Sequence, residues 1–255
     1  MIVFVYDETF EGVLTALFDA YSLKLFPDDV IGEGDPLPLF CEQTHRVHTD
    51  RERAERVWKA LQKKLSRFAL QSLLYVWMSE LPEVANLLFR YMRKTVDTPR
   101  SIEKNFGDVD VLDVFKIEKK VASERMNLLQ FVRFQKAKDG TYFAALEPLY
   151  NVLPLTIAHF QDRFSDQKWL LYDMHRRYGY YYDLHEVREV TFDDAEAVYL
   201  KTGLLPENLM DEDELLYRRL WKEYFRTVAI KERYNPKKQR KDMPVRFWKY
   251  LTEKQ

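Results

Sequence analysis

The sequence predicts an α+β protein in which a helical N-terminal part with a short strand or two precedes a mainly antiparallel sheet flanked by helices. Two observations lead to this prediction. Apolar residues over the first hundred positions recur mainly at helical spacing, whereas short apolar segments separated by turn signals dominate from residue 131 to residue 182. Hydrophobic residues make up 46% of the 255-residue chain, so a large core is expected and extensive disorder is not.

The N-terminal part begins with the apolar run Ile2–Tyr6, which predicts a buried strand. Apolar side chains between Phe10 and Tyr21 then follow at i, i+3, i+4 spacing and predict an amphipathic helix. Residues 27–38 are rich in glycine, proline and acidic side chains, which predicts a loop. The loosely alternating residues 41–47 are a candidate second strand.

Three further helices are predicted in the N-terminal part. Thr49 and Glu52 resemble a capping box that opens the first of them. A second helix is expected around residues 70–78, and Pro82 suits the first turn of the third.

The segment Asp-Thr-Pro-Arg at residues 97–100 is the predicted boundary between two parts of the chain. The first part, residues 1–96, is expected to be mostly helical. The second part, residues 97–255, is expected to be an α+β domain.

A hairpin is the clearest feature of the second part. Two apolar segments, residues 131–134 and 142–146, flank the turn pair Asp139-Gly140. The other predicted elements are helices at residues 110–129 and 154–164, strands at 169–172 and 177–182, and a long helix capped by Asp211 with Glu214 that carries Tyr217, Leu220, Trp221, Tyr224, Phe225 and Val228 on one face.

Residues 231–249 form a basic and aromatic C-terminal segment with eight basic and two acidic side chains. Cations release counterions from phosphates and flat rings stack on exposed bases, so the segment is a candidate nucleic-acid surface. The alternative is a solvated basic end that Phe247 and Trp248 hold to the core. The residues expected to bind nucleic acid here are Lys237, Lys238, Arg240 and Lys241.

A second basic cluster is predicted on the helix that precedes the sheet. Lys116 and Lys120 share a face of that helix at i, i+4 spacing. Arg133 follows on the first predicted strand of the hairpin. Together with the C-terminal segment, these residues would form one groove for nucleic acid if they lie side by side.

Tyr178, Tyr180 and Tyr182 alternate along a predicted strand and therefore share one of its faces. Aromatic platforms on sheets stack single-stranded bases. Aromatic residues are also ordinary strand formers that pack a half-buried surface, and packing is the expected role here.

Cys41 is the only cysteine, so the sequence predicts no intramolecular disulfide and no iron–sulfur cluster held by several thiolates. With His45 and His48 it forms a C-x3-H-x2-H run, but no second ligand pair follows at zinc-finger spacing. The sequence therefore predicts neither a metal nor a cofactor.

Acid–base chemistry has three weak candidates. Glu147 and Asp183 lie at predicted strand ends, and His159 lies on the helix between them. General acid–base catalysis needs such groups within hydrogen-bond reach of one substrate, and ion pairing or capping is the alternative role. The chain contains no P-loop, dinucleotide-binding glycine fingerprint, G-x-S-x-G or H-E-x-x-H motif, so the sequence indicates no enzyme class.

The first residues lack the basic and small-residue features of a secretory signal. No apolar run approaches the roughly 18 residues that a membrane-spanning helix needs. The protein is therefore expected in the cytoplasm, without a membrane partner.

Many short stretches along the chain carry a resemblance to a known family. In the N-terminal part they are residues 6–14 and residues 47–50 with Arg56-Val57. From about residue 88 to residue 253 they include Phe131-Val132-Arg133-Phe134, Glu147-Pro148, His159-Phe160, Arg163-Phe164, Trp169, residues 176–183, Leu220-Trp221, Tyr224-Phe225 and Phe247-Trp248. By these stretches the chain resembles a bacterial family of DNA metabolism proteins that carries a C-terminal DUF4130 domain.

The resemblance implies a context and not a reaction. Proteins of this family tend to be encoded beside a radical-SAM protein of DNA modification or repair, and DUF4130 regions also occur fused to uracil-DNA-glycosylase-like domains. The resemblance supplies no catalytic residues. It implies a companion subunit whose partners are DNA and a radical-SAM protein, since a single cysteine cannot hold the radical-SAM cluster.

Three functions therefore stay open at the level of sequence. The leading one is a DNA-binding accessory protein of DNA metabolism or repair that works with a radical-SAM partner. The second is an enzyme acting on nucleic acid, which requires Glu147 and Asp183 to converge on one pocket. The third is a protein-interaction module, which requires the aromatic face around Trp221 and Tyr224 to be exposed.

Overall fold

The computed structural model describes residues 1–192 and 203–254. Helices and strands occur in both of its compact units, Met1–Ala122 and Ser123–Gln255, which confirms the predicted α+β class. The division between the units falls inside a long helix, whereas the boundary predicted from sequence lies at residues 96 and 97. That earlier boundary remains a prediction about domain organisation. In the described ranges, every helix is too short or too polar to serve as a membrane span.

The first unit contains a three-stranded parallel sheet in the order β2-β1-β3, so that the first strand lies in the centre. Val3 and Phe4 of that strand are fully buried, which explains its uninterrupted apolar sequence. The elements of the first unit are β1 (Ile2–Tyr6), α1 (Phe10–Leu23), β2 (Asp29–Gly32), β3 (Gln43–Arg46), α2 (Arg51–Gln62), α3 (Arg67–Trp77) and α4 (Val84–Asp97).

Three details of the first unit correct the sequence predictions. Strand β2 forms within the segment that was predicted to be a loop. Its backbone pairs in parallel with β1, and the Asn86 side chain hydrogen-bonds both the N–H and the carbonyl of Val30. Helix α2 is capped by Asp50, whose carboxylate accepts from the Arg53 N–H at 2.9 Å, and not by Thr49. Helix α4 begins at Val84, so Pro82 precedes the helix.

The second unit is built on a five-stranded sheet in the order β4-β5-β6-β7-β8. Among its described strands, only the β5–β6 pair is parallel, so the predicted mainly antiparallel sheet is confirmed. Helix α5 (Val109–Phe131) begins in the first unit and ends in the second. The other elements are β4 (Gln135–Lys136), β5 (Tyr142–Leu146), α6 (Ile157–Arg163), β6 (Trp169–Asp173), β7 (Tyr178–Tyr182), β8 (Val187–Val190), α7 (Glu214–Val228), α8 (Pro236–Asp242) and the 3₁₀ helices Lys231–Arg233, Val245–Tyr250 and Thr252–Lys254.

The predicted hairpin is present, but its first strand lies later in the sequence. Residues 131–134 do not form a strand: α5 continues to Phe131, because Leu128 and Phe131 are buried on one face of that helix. The strand is β4, which pairs with β5 around the Asp139-Gly140 turn. Arg133 therefore lies between a helix and a strand.

The C-terminal segment is held to the core by its aromatic residues, as expected. Phe247 is 1% exposed and its ring lies 5.4 Å from that of Phe131. The Trp248 indole donates to the Met243 carbonyl at 3.0 Å.

Candidate nucleic-acid interface

The three acid–base candidates lie apart. Strand β6 lies between β5 and β7 and shows where the two carboxylates lie. Its last residue, Asp173, pairs with Leu146 of β5, and its first residue, Trp169, pairs with Tyr182 of β7. Glu147 therefore leaves the sheet at one end and Asp183 at the opposite end, separated by a five-residue strand, or roughly 13 Å. His159 is exposed on α6.

The contacts of these carboxylates are structural. Glu147 forms a 2.6 Å ion pair with Lys249 on the surface. Asp183 accepts from the N–H groups of His185 and Glu186 at 2.9 Å, and these hydrogen bonds hold the pKa of its carboxyl below the usual value. Both residues play the pairing and turn-forming roles that were the alternative from sequence.

The tyrosines of β7 and the Cys41 region also have structural contacts. The Tyr178 hydroxyl hydrogen-bonds Asn151, and the Tyr182 ring packs 5.5 Å from Trp169, so these rings pack within the sheet. His45 binds Asp19 at 2.9 Å. No three potential metal ligands come together anywhere in residues 1–192 or 203–254.

Helix α8 carries the four basic residues expected from sequence, and all four are exposed. Lys237, Arg240 and Lys241 lie on one side of this helix at about 3.6 residues per turn. Lys238 lies beside that side and forms a 2.6 Å ion pair with Asp242. The resulting surface, which we call the α8 basic face, is defined by Lys237, Arg240 and Lys241.

Lys116 and Lys120 are also exposed, on the part of α5 that belongs to the first unit. Lys116 is 3.3 Å from Asp113 of the same helix. The α8 basic face belongs to the second unit, and the single groove formed by both clusters stays a prediction.

Arg133 is engaged within the protein. Its guanidinium donates to Glu253 at 2.6 Å, and the Glu253 side chain is only 1% exposed. The same carboxylate accepts from the Trp221 indole at 2.8 Å, and the Arg133 guanidinium lies 5.7 Å from the Trp221 ring centre. Arg133 thus helps to position Trp221 through Glu253, and its contact with nucleic acid stays a prediction.

A cleft of about 790 Å³ lies beside Trp221 in the second unit. One wall is α7, and the other includes the end of α6 and the residue after Arg133. We call it the aromatic cleft and define it by Phe134, Arg163, Phe164, Tyr217, Trp221 and Tyr224.

The aromatic side chains of α7 in this cleft are accessible to a ligand. Tyr217 is 62% exposed, Tyr224 is 58% exposed and Trp221 is 39% exposed. The Trp221 and Tyr224 rings stack on each other with centroids 5.6 Å apart and an interplanar angle of 30°. Phe164 and Phe134 form the opposite side as an edge-to-face pair at 5.4 Å.

Two guanidinium groups in the cleft differ in their availability. Arg218 binds Glu214 at 3.1 Å and the Gln135 side chain, so it is part of a structural network. Arg163 is exposed, and its guanidinium forms no ion pair or hydrogen bond with any residue in the described ranges. The cleft therefore combines aromatic rings with the guanidinium of Arg163, for which the described part of the chain provides no acidic partner.

Sequence reasoning identified the aromatic face of α7 but not the cleft. Phe134, Arg163 and Trp221 lie in three separate stretches that each contributed to the family resemblance, and only the fold brings them together. Counting charges over a longer segment would have indicated this region: residues 215–249 contain twelve basic and three acidic side chains. That window joins α7 to α8 as one basic and aromatic region.

Comparison with known proteins gives a family and little more. The family model described as a domain of unknown function, DUF4130, matches residues 82–253. No curated protein matches the chain. Among solved structures, the pGpG-specific phosphodiesterase PggH from Vibrio cholerae is similar at a TM-score of 0.31 and 13% identity, over 90% of this chain and 100% of that one. A TM-score at this level supports no inference about this chain.

Proposed function

This chain belongs to the DUF4130 family, and we propose that it binds single-stranded nucleic acid in the aromatic cleft. One observation carries the proposal: the stacked Trp221–Tyr224 pair is exposed beside the guanidinium of Arg163, which has no acidic partner among the described residues. Stacking of a base on an aromatic ring contributes about 1–3 kcal/mol, and a nearby cation attracts the adjoining phosphate.

The cleft favours a single strand over a duplex. Bases in a duplex are stacked on one another and expose only their edges in the grooves. Tyr217, Trp221 and Tyr224 expose aromatic ring surface, which suits unpaired bases whose own faces are free. The α8 basic face supplies further positive charge for the backbone.

We further propose that the nucleic acid is DNA and that the chain is an accessory protein of DNA metabolism or repair. The family resemblance supports this, as it supports a radical-SAM protein as the partner and the cytoplasm as the location. The single cysteine supports placing any iron–sulfur cluster chemistry on that partner. The enzyme alternative has less support, because Glu147 and Asp183 lie at opposite ends of the sheet.

A protein-interaction module is the second candidate, and one observation favours it. Leu216 and Leu220 of α7 are 44% and 55% exposed, which is typical of a helix that docks on a partner. Salt separates the two candidates, since phosphate binding weakens steeply with salt and apolar docking does not.

The test is a salt titration of fluorescence anisotropy with a labelled oligothymidylate and with a duplex of equal length. If the protein makes about four phosphate contacts, a plot of the logarithm of the binding constant against the logarithm of the salt concentration should have a slope of about −3 for the single strand. Neutralising Lys237, Arg240 and Lys241 to glutamine should reduce the magnitude of that slope by about 2.

The matched control removes the same charge from an unrelated exposed surface. It combines three substitutions on or beside α2 and α3: Lys59→Gln, Lys63→Gln and Arg67→Gln. This control variant should bind the oligonucleotide with unchanged affinity and unchanged salt slope. Salt-independent binding, or no binding to either oligonucleotide, would exclude the proposed function.

A further inference from the structure

We infer that the bound single strand continues from the aromatic cleft along α7 to α8, so that the site spans about five nucleotides. This inference rests on the proposed function and specifies its ligand. It follows from a second cleft, the stripe of side chains that joins the two clefts, and the distribution of charge.

The second cleft lies at the C-terminal end of α7 and has a volume of about 380 Å³. Val228 and Ile230 form its apolar part, and Arg233, Tyr234 and Lys238 contribute a ring and two cations. Tyr234 is 72% exposed, so its ring is available for another base. We call this the α8 cleft.

A continuous stripe of exposed side chains joins the two clefts. Tyr217, Trp221, Tyr224 and Val228 are spaced by four, three and four residues, which places them on one side of α7. All four are between 39% and 62% exposed. A ligand that fills the aromatic cleft therefore meets apolar and aromatic surface all the way to the α8 cleft.

The length of this stripe sets the size of the site. Eleven residues separate Tyr217 from Val228, which corresponds to about 16 Å along a helix that rises about 1.5 Å per residue. A stacked strand advances about 3.4 Å per nucleotide, so roughly five nucleotides cover this distance. Site sizes of roughly 4–16 nucleotides are typical of grooves that combine stacking with charge.

The charges at the α8 end suit a phosphate backbone. The exposed acid of the α8 cleft, Asp242, is 2.6 Å from Lys238. Glu223 on α7 is likewise paired, with Arg226 at 2.8 Å. Arg233 and Lys238 are the cations that line this cleft, whereas the α8 basic face lies on the other side of the short helix and adds three cations without an acidic partner in the described ranges.

The experiment measures affinity for oligothymidylates of increasing length, from a dinucleotide to a dodecanucleotide, at one low salt concentration. Affinity should rise steeply up to about five or six nucleotides and then level off. Tyr234→Ala should weaken binding of an octanucleotide about tenfold and leave the dinucleotide unchanged. Trp221→Ala should weaken both, and Phe68→Ala, which removes a 58% exposed ring from α3, should weaken neither.

The outcomes separate this inference from the proposed function. Binding that already levels off at the dinucleotide, or equal losses on both lengths in Tyr234→Ala, would overturn the extended path while the aromatic cleft remains the site. Failure to bind at any length would overturn the proposed function itself. Tyr234 is exposed, so its replacement leaves the fold intact.

Discussion

Glu253 is the residue on which the orientation of Trp221 depends most directly. Its carboxylate accepts from Arg133 at 2.6 and 3.4 Å and from the Trp221 indole at 2.8 Å. Burial opposes its ionisation, but the hydrogen bonds from Arg133 and Trp221 outweigh that effect and hold its pKa below the usual value. Glu253→Gln keeps the shape of the side chain and removes the charge.

The expected loss of stability follows from these contacts. A hydrogen bond to a charged group contributes about 1.5–3 kcal/mol. Arg133 also donates to the carbonyls of Gln130 and Val132, so it keeps partners in the variant. The predicted decrease in the free energy of unfolding is therefore about 2 kcal/mol, below the 3–5 kcal/mol that accompanies loss of a fully buried ion pair.

Urea unfolding at neutral pH measures this decrease as a lower midpoint at constant slope. Glu223→Gln is the matched control, because its ion pair with Arg226 is exposed and the loss of that pair should change the stability by less than about 0.5 kcal/mol.

The low pKa of Glu253 in the folded state means that its carboxylate stabilises the protein above its usual pKa of about 4.3 and that this contribution is lost as pH falls further. The difference between Glu253→Gln and the parent protein should therefore shrink below about pH 4. Equal stability of the two proteins at neutral pH would refute the reasoning.

Three further substitutions test the fold. Gly179→Ala would place a Cβ 2.3 Å from the Leu171 carbonyl oxygen, and the resulting strain in the sheet should lower the free energy of unfolding, measured with urea, by about 1–3 kcal/mol or prevent folding. Asp173→Asn replaces a fully buried carboxylate that binds Arg176 at 2.9 Å, which should cost about 3 kcal/mol in the same urea assay. Asp50→Ala removes the side-chain cap of α2 and should cost about 1 kcal/mol, measured by thermal unfolding.

Elements whose sequence signal is local were predictable. Strand β1 has an uninterrupted apolar sequence, and Asp139-Gly140 marks the hairpin turn. Strand β2 was missed because its four residues resemble a loop, and its parallel partner β1 and the Asn86 contacts are supplied by the tertiary fold. Strand β8, Val-Arg-Glu-Val, was missed for a related reason: it is a polar strand whose one partner among the described strands is β7.

The candidate site was predictable in its residue types but not in its geometry. The cations of α8 and the aromatic face of α7 are visible in the sequence because each is local. The pairing of Arg133 with Glu253 joins residues 120 positions apart, so the sequence could not indicate that Arg133 binds this carboxylate. The aromatic cleft likewise depends on three distant segments, and no periodicity in the sequence indicates that they meet.

The most direct test of the central claim compares two variants of Trp221 in their affinity for an oligothymidylate of about eight nucleotides. Trp221→Phe keeps an aromatic face and should retain most of the affinity, whereas Trp221→Ala removes the face and should lose about tenfold or more. Circular dichroism confirms that both variants are folded. The claim is contradicted if folded Trp221→Ala binds the oligonucleotide as tightly as the parent protein.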